Sequence, residues 1–217
     1  MTVTILSFDT SAAHCAAALL CGERLLGARL EPMKRGQAEA LVPMIEALLA
    51  EAGLTPRDLD AIGCGTGPGN FTGIRISVAL ARGMALSLGV PAIGVSQFEL
   101  LAPARGAALI TLPAPRDMAY AQVMDAGRPV EAPELIDPAT WDGPMRAGQV
   151  IGHRAQEIAE RLSADGQVAV VDDPAPAIAR IAAAQLTRGG ALPRPAPQYV
   201  RAADAAPPSD PPPVILP

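Results

Sequence analysis

Three sets of residues have the types and spacing to do chemistry. The first is the triplet Asp9-Thr10-Ser11, which follows an apolar run. A carboxylate and two hydroxyls at a strand end can face a phosphate or a hydrated metal ion. The same residues also make tight turns through side chain to backbone hydrogen bonds, and on the triplet alone the turn is the preferred reading. The second is Gly65-Thr66-Gly67-Pro68-Gly69-Asn70-Phe71-Thr72-Gly73. Glycines let a backbone approach an anion closely, and a helix N-terminus behind them favours negative charge. No Gly-Lys-Ser/Thr closes this loop, and Asn70 stands where a dinucleotide fingerprint needs its third glycine. A tight strand-to-helix turn capped by Asn70 or Thr72 explains the loop as well as a phosphate cradle does. Candidate phosphate- or nucleotide-facing residues are therefore Asp9, Thr10, Ser11, Gly67, Gly69 and Asn70. The third set is the histidines, His14 and His153. They form no H-x-x-x-H pair, no C-x-x-C accompanies them, and no Ser-His-Asp arrangement can be assembled. A zinc or hydrolase site is not expected. His14 is expected at the surface of a strand start, and His153 near a helix start.

The elements that would position these groups follow from hydrophobic period. Val3 to Phe8, Cys15 to Leu20 and Leu25 to Leu30 read as an antiparallel meander. Leu41, Ile45, Leu48 and Leu49 recur at helical spacing, predicting a helix from Ala38 to Ala52 with Pro43 close to its first turn. Ala61 to Gly65 is a short buried strand, Thr72 to Leu88 a long helix and Ala92 to Val95 a strand. Ser96 and Glu99 predict a capping box for a short helix through Leu101. Beyond Pro103 strands are expected at Ala107–Leu112, Ala119–Asp125, a run ending at Gly152, and Val168–Val171. Helices are expected at His153–Leu162 and Ala175–Thr187. Nine of the 23 prolines fall between Pro193 and Pro217, predicting an extended tail that lies across the body or is disordered. The domain reading is residues 1–103, a smaller α/β unit at 104–190, and a proline-rich tail at 191–217.

Composition narrows the function. The chain has 217 residues, 50% of them hydrophobic and 3% aromatic, with net charge −5. That balance offers no basic face with which the chain alone would hold RNA. Cys15 and Cys21 share one expected strand, which puts them roughly 20 Å apart at ~3.3 Å per residue, too far to bridge. A reduced, cytoplasmic setting is expected. The N-terminal apolar run lacks a basic leader, so a signal peptide is not expected. The uncharged stretch Gly83 to Phe98 is interrupted by Gly and Pro, and no membrane association is expected.

The helices carry a further signal. The helix from Thr72 to Leu88 has only Arg75 and Arg82 as charges, so its polar strip is thin. On the preceding helix Ala40, Met44 and Ala47 form a second apolar stripe beside the core-facing one. A chain of this size has difficulty enclosing both. Ala40, Met44, Ala47, Arg75, Ala79, Arg82 and Gly83 are the expected partner interface. Glu39 and Glu46 match the spacing of Arg75 and Arg82, which suggests cross-helix pairing within the chain or across a dimer.

The glycine loop, with Ile74 and Arg75, closely resembles the TsaB (YeaZ) family. So do Ile5-Leu6-Ser7-Phe8-Asp9-Thr10-Ser11, Leu41-Val42-Pro43-Met44-Ile45, Gly89-Val90-Pro91-Ala92-Ile93-Gly94-Val95-Ser96 and Tyr199-Val200-Arg201. The similarity is dense over residues 1 to 103 and sparse beyond. It implies an α/β actin-like, sugar-kinase-like (ASKHA) fold of two ribonuclease-H-like subdomains. It implies a non-catalytic subunit in the synthesis of threonylcarbamoyladenosine at position 37 of transfer RNA. The implied partners are a catalytic paralogue, TsaD, and an ATPase, TsaE, with tRNA met only through the complex and a homodimer as the alternative when the chain is alone. No tightly bound cofactor is implied, with ATP or ADP bound only within the complex. The paralogue carries a metal-binding His-x-x-x-His that this chain lacks. Where the family often has His, Arg and Asp-Ala-Arg, this chain has Gln37, Thr66 and Ala114-Pro115-Arg116, which weakens independent nucleotide binding. The competing reading is an ATP-dependent phosphotransferase of the same superfold, with Asp9 near the metal. It lacks a second glycine-rich loop, since the later half offers only Asp172-Asp173-Pro174.

Overall fold

The computed structural model describes residues 2–143 and 148–200. The chain opens with β1 (Thr4–Asp9), β2 (His14–Cys21) and β3 (Arg24–Pro32), followed by α1 (Gln37–Glu51), a 3-10 turn at Pro56–Asp58, β4 (Ala61–Gly65), α2 (Phe71–Leu88), β5 (Ala92–Val95) and α3 (Gln97–Leu101). These strands form one sheet in the order β3-β2-β1-β4-β5. β1, β2 and β3 pair antiparallel, while β4 lies parallel to β1 and β5 parallel to β4.

Strand period sorts the side chains onto two faces. Leu6 and Phe8 of β1, Cys15, Ala17 and Leu19 of β2, and Ile62 and Cys64 of β4 pack with Leu41, Ile45, Leu48, Ile74, Val78 and Ala81 from α1 and α2. The opposite face is built from small groups. Ala16 and Ala18 meet Ala175, and Ile5, Ala61 and Ile93 meet Ala179 and Ala182.

The second sheet is made by β6 (Ala107–Pro113), β7 (Ala119–Asp125), β8 (Arg128–Pro129), β9 (Glu134–Ile136), β10 (Gln149–Gly152) and β11 (Asp165–Gln167), with α4 (Ala155–Leu162) between the last two and α5 (Pro174–Arg188) at the end. Its order is β11-β10-β6-β7-β8, with β9 also on β7. One face packs on α4 through Leu109, Val123, Val150 and Ile158. The other packs on Phe98 of α3 through Ile110, Met124 and Ile151. Two mixed sheets with helices in this arrangement are the α/β, actin-like class that the resemblance implies.

Three expectations need correction. Val168–Val171 is not a strand; the edge strand is Asp165–Gln167, all exposed, and Val168 and Val170 lie in solvent. α5 falls within 104–190, yet it packs on β1, β2, β4 and β5 of the first sheet. Pro43 sits inside α1 rather than near its first turn. The carbonyl it leaves without a helical donor belongs to exposed Glu39, where water can satisfy it.

Other expectations hold. Ser96 and Glu99 form the capping box, with Ser96 N donating to Glu99 Oε2 at 2.7 Å and Glu99 N donating to Ser96 Oγ at 3.2 Å. α2 is long and apolar enough to cross a bilayer by length and composition, and 33% of it is buried. That buried third packs on β4. The described part of the proline tail lies across the body; residues 201–217, Arg201 among them, are outside the described residues.

Candidate functional site

β1 ends at Asp9, and the structure brings the triplet and the glycine loop together. Asp9, Thr10 and Ser11 are all buried. Thr10 turns towards α2: its Oγ1 donates to the Gly73 carbonyl at 2.6 Å, and its N–H donates to Ser77 Oγ at 3.0 Å. The Ser11 carbonyl accepts from Asn70 N at 2.6 Å. Three glycines permit this approach. A Cβ on Gly65 would lie 1.8 Å from Asp9 Oδ1, one on Gly69 2.3 Å from the Ser11 carbonyl oxygen, and one on Gly73 1.8 Å from the Thr10 carbonyl oxygen. The glycines therefore serve a close joint between two backbone segments. Asn70 caps α2, accepting from Gly73 N at 2.9 Å, so the turn-and-cap account describes the loop. Gly67 is buried at φ +89°, while Gly69 and Asn70 are exposed at the rim.

The carboxylate of Asp9 is held from one side. Its Oδ2 accepts from Ser11 N at 3.2 Å and Ser11 Oγ at 2.9 Å, and pairs with His14 Nε2 at 2.7 Å. Oδ1 is buried and has no partner. His14 was expected at the surface; it is instead a constituent of this cluster. Ser11 and His14 meet the same carboxylate oxygen, so the three do not form a nucleophilic triad, in which His would stand between Ser and Asp. Asp173, the N-cap of α5, is close enough to feel His14. Burial pushes its carboxyl up, partly offset by the hydrogen bond from Ala175 N and by His14. The signal for His14 was present in the sequence: a hairpin of this length returns its first residue to the end of the strand before it.

Between the two sheets lies an open cleft of about 520 Å³, lined by Ser11, Lys34, Pro68, Asn70, Gln97 and Leu112 among others. Gln97 Nε2 donates to Ser11 Oγ at 3.0 Å. Among the described residues, no three His, Cys, Asp or Glu gather to hold a metal ion. Of the departures from the family pattern, Gln37 is buried and donates to the Met33 carbonyl at 3.2 Å. Thr66 is buried, and its carbonyl accepts from Gln198 N at 2.8 Å. Ala114-Pro115-Arg116 forms the β6–β7 turn, with Arg116 at φ +61°.

The second candidate site is the outer face of α2. Arg75, Ala79, Arg82 and Gly83 are exposed, as are Phe71 at 47% and Leu86 at 85%. On α1, Val42 is 43% exposed. Met44, expected on the interface, instead belongs to the core; Ala40 and Ala47 are half-buried. The within-chain version of the cross-helix charge pairs does not form. Among the described residues Glu39, Glu46 and Arg82 have no ion-pair partner. Arg75 Nε donates to Tyr199 Oη at 2.7 Å, its guanidinium lies 3.7 Å over the Phe71 ring, and Phe71 and Tyr199 stack at 5.1 Å. Tyr199 arrives on the proline strap.

A family model described as TsaD: tRNA N6-adenosine threonylcarbamoyltransferase matches residues 31–129, less than half of the chain. The TsaB protein of Escherichia coli is 37% identical over 103 residues, 48% of this chain and 43% of that protein. The TsaB protein of Buchnera aphidicola from Schizaphis graminum is 37% identical over 102 residues, 47% of this chain and 48% of that protein. The match thus spans less than half the length of these relatives. Over the whole fold, the structure of YeaZ from Pseudomonas aeruginosa covers 91% of this chain and 99% of its own at 28% identity, with a TM-score of 0.73.

Proposed function

The chain is assigned to the TsaB (YeaZ) family by sequence and by fold, and from that premise we propose that it is a non-catalytic subunit in the biosynthesis of threonylcarbamoyladenosine on tRNA. It works by docking the outer face of α2, with the exposed part of α1, onto a TsaD-like catalytic paralogue. A TsaE-like ATPase joins that pair, and tRNA is met through the assembly. The observation that carries this reading is the α2 face, where Ala79, Gly83 and Leu86 stay uncovered beside the two arginines. Small residues at 79 and 83 let another helix come close, and Leu86 gains about 2 kcal/mol when covered. The joint at Asp9 supports the non-catalytic half of the reading. Thr10, Ser11 and the Asn70 amide are spent on internal hydrogen bonds.

The test is co-purification and titration calorimetry with the TsaD-like paralogue from the same genome, followed by assay of the modified nucleoside. Wild type binds and supports the modification, and Ala79→Arg loses both while melting as wild type does. Binding unaffected by Ala79→Arg would place the interface elsewhere. Robust ATP turnover by the purified chain alone would favour the phosphotransferase reading.

A further inference from the structure

We infer that the groove between the C-terminal half of α2 and the proline strap is a second jaw of the partner interface, taking an acidic side chain and the apolar residue beside it from the catalytic partner. This inference rests on the docking reading above. The groove encloses about 510 Å³. Leu86, Val90, Leu192 and Pro195 supply apolar surface, Arg82 stands on the helix wall and Arg194 on the strap wall. No carboxylate lines it. Among the described residues, neither arginine has an ion-pair partner. Two guanidinia over one apolar floor complement a carboxylate, which they meet with parallel N–H donors. Gly83 lines the same groove, and a Cβ there would meet nothing within 4 Å. The groove is therefore contiguous with the exposed α2 face and open along it.

The strap is anchored on both sides of Arg194: upstream, Leu192 packs against the cluster of Ile5, Ile93 and Ala179. Downstream, Gln198 N donates to the Thr66 carbonyl at 2.8 Å, and Tyr199 Oη accepts from Arg75. Pro195, next to Arg194, is buried against Gly94, where an added Cβ would lie 3.3 Å from Pro195 Cβ. Alternate prolines at 193, 195 and 197 fix φ along the segment. Arg194 is thus presented by a backbone already ordered, and docking pays little further entropy for it. An RNA phosphate would also suit two arginines, but the groove is floored by apolar side chains and the chain carries net charge −5.

The experiment measures the affinity of the full chain for its TsaD-like paralogue by calorimetry at low and high salt. It compares wild type, Arg82→Glu, Arg194→Glu and Ala79→Arg, with melting curves, gel filtration and tRNA binding by the assembled complex. Arg82 and Arg194 are exposed, so both glutamate variants fold as wild type does. The expected result is a loss of about tenfold or more in affinity for each arginine variant, with a shallower salt dependence. Ala79→Arg abolishing binding while both arginine variants bind as wild type does would keep the docking reading and overturn the groove. All three variants binding as wild type does would overturn both. Lost self-association in gel filtration with partner affinity unchanged would assign the groove to a second copy of this chain. Weaker tRNA binding with partner affinity unchanged would assign it to a phosphate. Either result overturns the inference.

Discussion

Gly73 and Gly83 share one helix and face opposite surroundings. A Cβ at Gly73 would lie 1.8 Å from the Thr10 carbonyl oxygen, a backbone atom that cannot step aside, while one at Gly83 meets nothing within 4 Å. Gly73→Ala is expected to destabilise by about 3 kcal/mol, because the joint between β1 and α2 must open. Gly83→Ala is expected to stabilise by about 1 kcal/mol, the ordinary gain of Ala over Gly inside a helix. Urea titrations of the two variants check this, and a similar cost for both would mean that the joint is not tight. The cysteines give a second residue-scale test. Burial pushes the Cys64 thiol up to about 12, with Asp9 adding to it. Burial, then Glu31 and Asp9, raise Cys15 to about 11. Both stay protonated at pH 8 and inaccessible, whereas Cys21 is partly exposed. A thiol reagent should label Cys21 first and the other two only in denaturant. The linkage follows from the same shifts. Unfolded thiols ionise near their ordinary value of 9.0, well below the folded values of about 11 and 12. Stability from keeping these thiols buried is therefore intact below pH 9 and falls as pH rises through 11. Urea midpoints that do not fall between pH 8 and pH 10 would contradict it.

At the scale of elements, the strap ties to α2 through one aromatic residue. Tyr199 stacks on Phe71, lies under the Arg75 guanidinium and accepts its Nε–H. Tyr199→Ala removes a ring pair and a cation–π contact at a half-exposed site, an expected cost of about 1 kcal/mol. Limited proteolysis should then cut near Pro197 faster than in wild type; unchanged cleavage would mean that the strap is held from elsewhere. Much of this scale was legible in the sequence, for physical reasons. β4, β5, β7 and the Ser96–Glu99 capping box appear where alternation and capping residues put them. The glycine loop admits two readings in sequence, since glycines that admit an anion and glycines that admit another backbone have the same spacing. What escaped were destinations. The Val168–Val171 run has strand propensity but no neighbour to pair with, while Asp165–Gln167 is drawn into the sheet by its register with Gln149–Ile151. Met44 was assigned to an outer stripe because its helix angle lies between the two faces. In the structure it is buried in the core cluster that also holds residues of β2 and α2.

For the whole molecule, α5 decides how the two halves cohere. It is the last helix in the chain, yet it covers the face of the first sheet opposite α1 and α2. The fit is built from small groups on both sides. Ala16, Ala18 and Ala61 are in the sheet, Ala175, Ala179 and Ala182 are on the helix, and Ile178 lies against Gly63, where a Cβ would meet its Cγ2 at 3.0 Å. Ser7, buried in the middle of β1, donates its hydroxyl to the Ala175 carbonyl at 2.7 Å. Without α5, that hydroxyl and the faces of Ile5, Leu20 and Ile93 would lie open to water. A sheet that buries only one face lacks half of its apolar gain against the entropy of ordering its strands. Residues 1–103 expressed alone are therefore expected not to fold cooperatively, although every strand of the first sheet lies within them. The full chain, its halves tied through α5 and through Phe98 on the second sheet, should unfold in one transition. Circular dichroism melts of the fragment and of the full chain decide it. A sharp, reversible transition in the 1–103 fragment would mean that α1 and α2 suffice to hold the sheet and that α5 is an accessory. Two separate transitions in the full chain would mean that the small-residue contact is too weak to couple the halves.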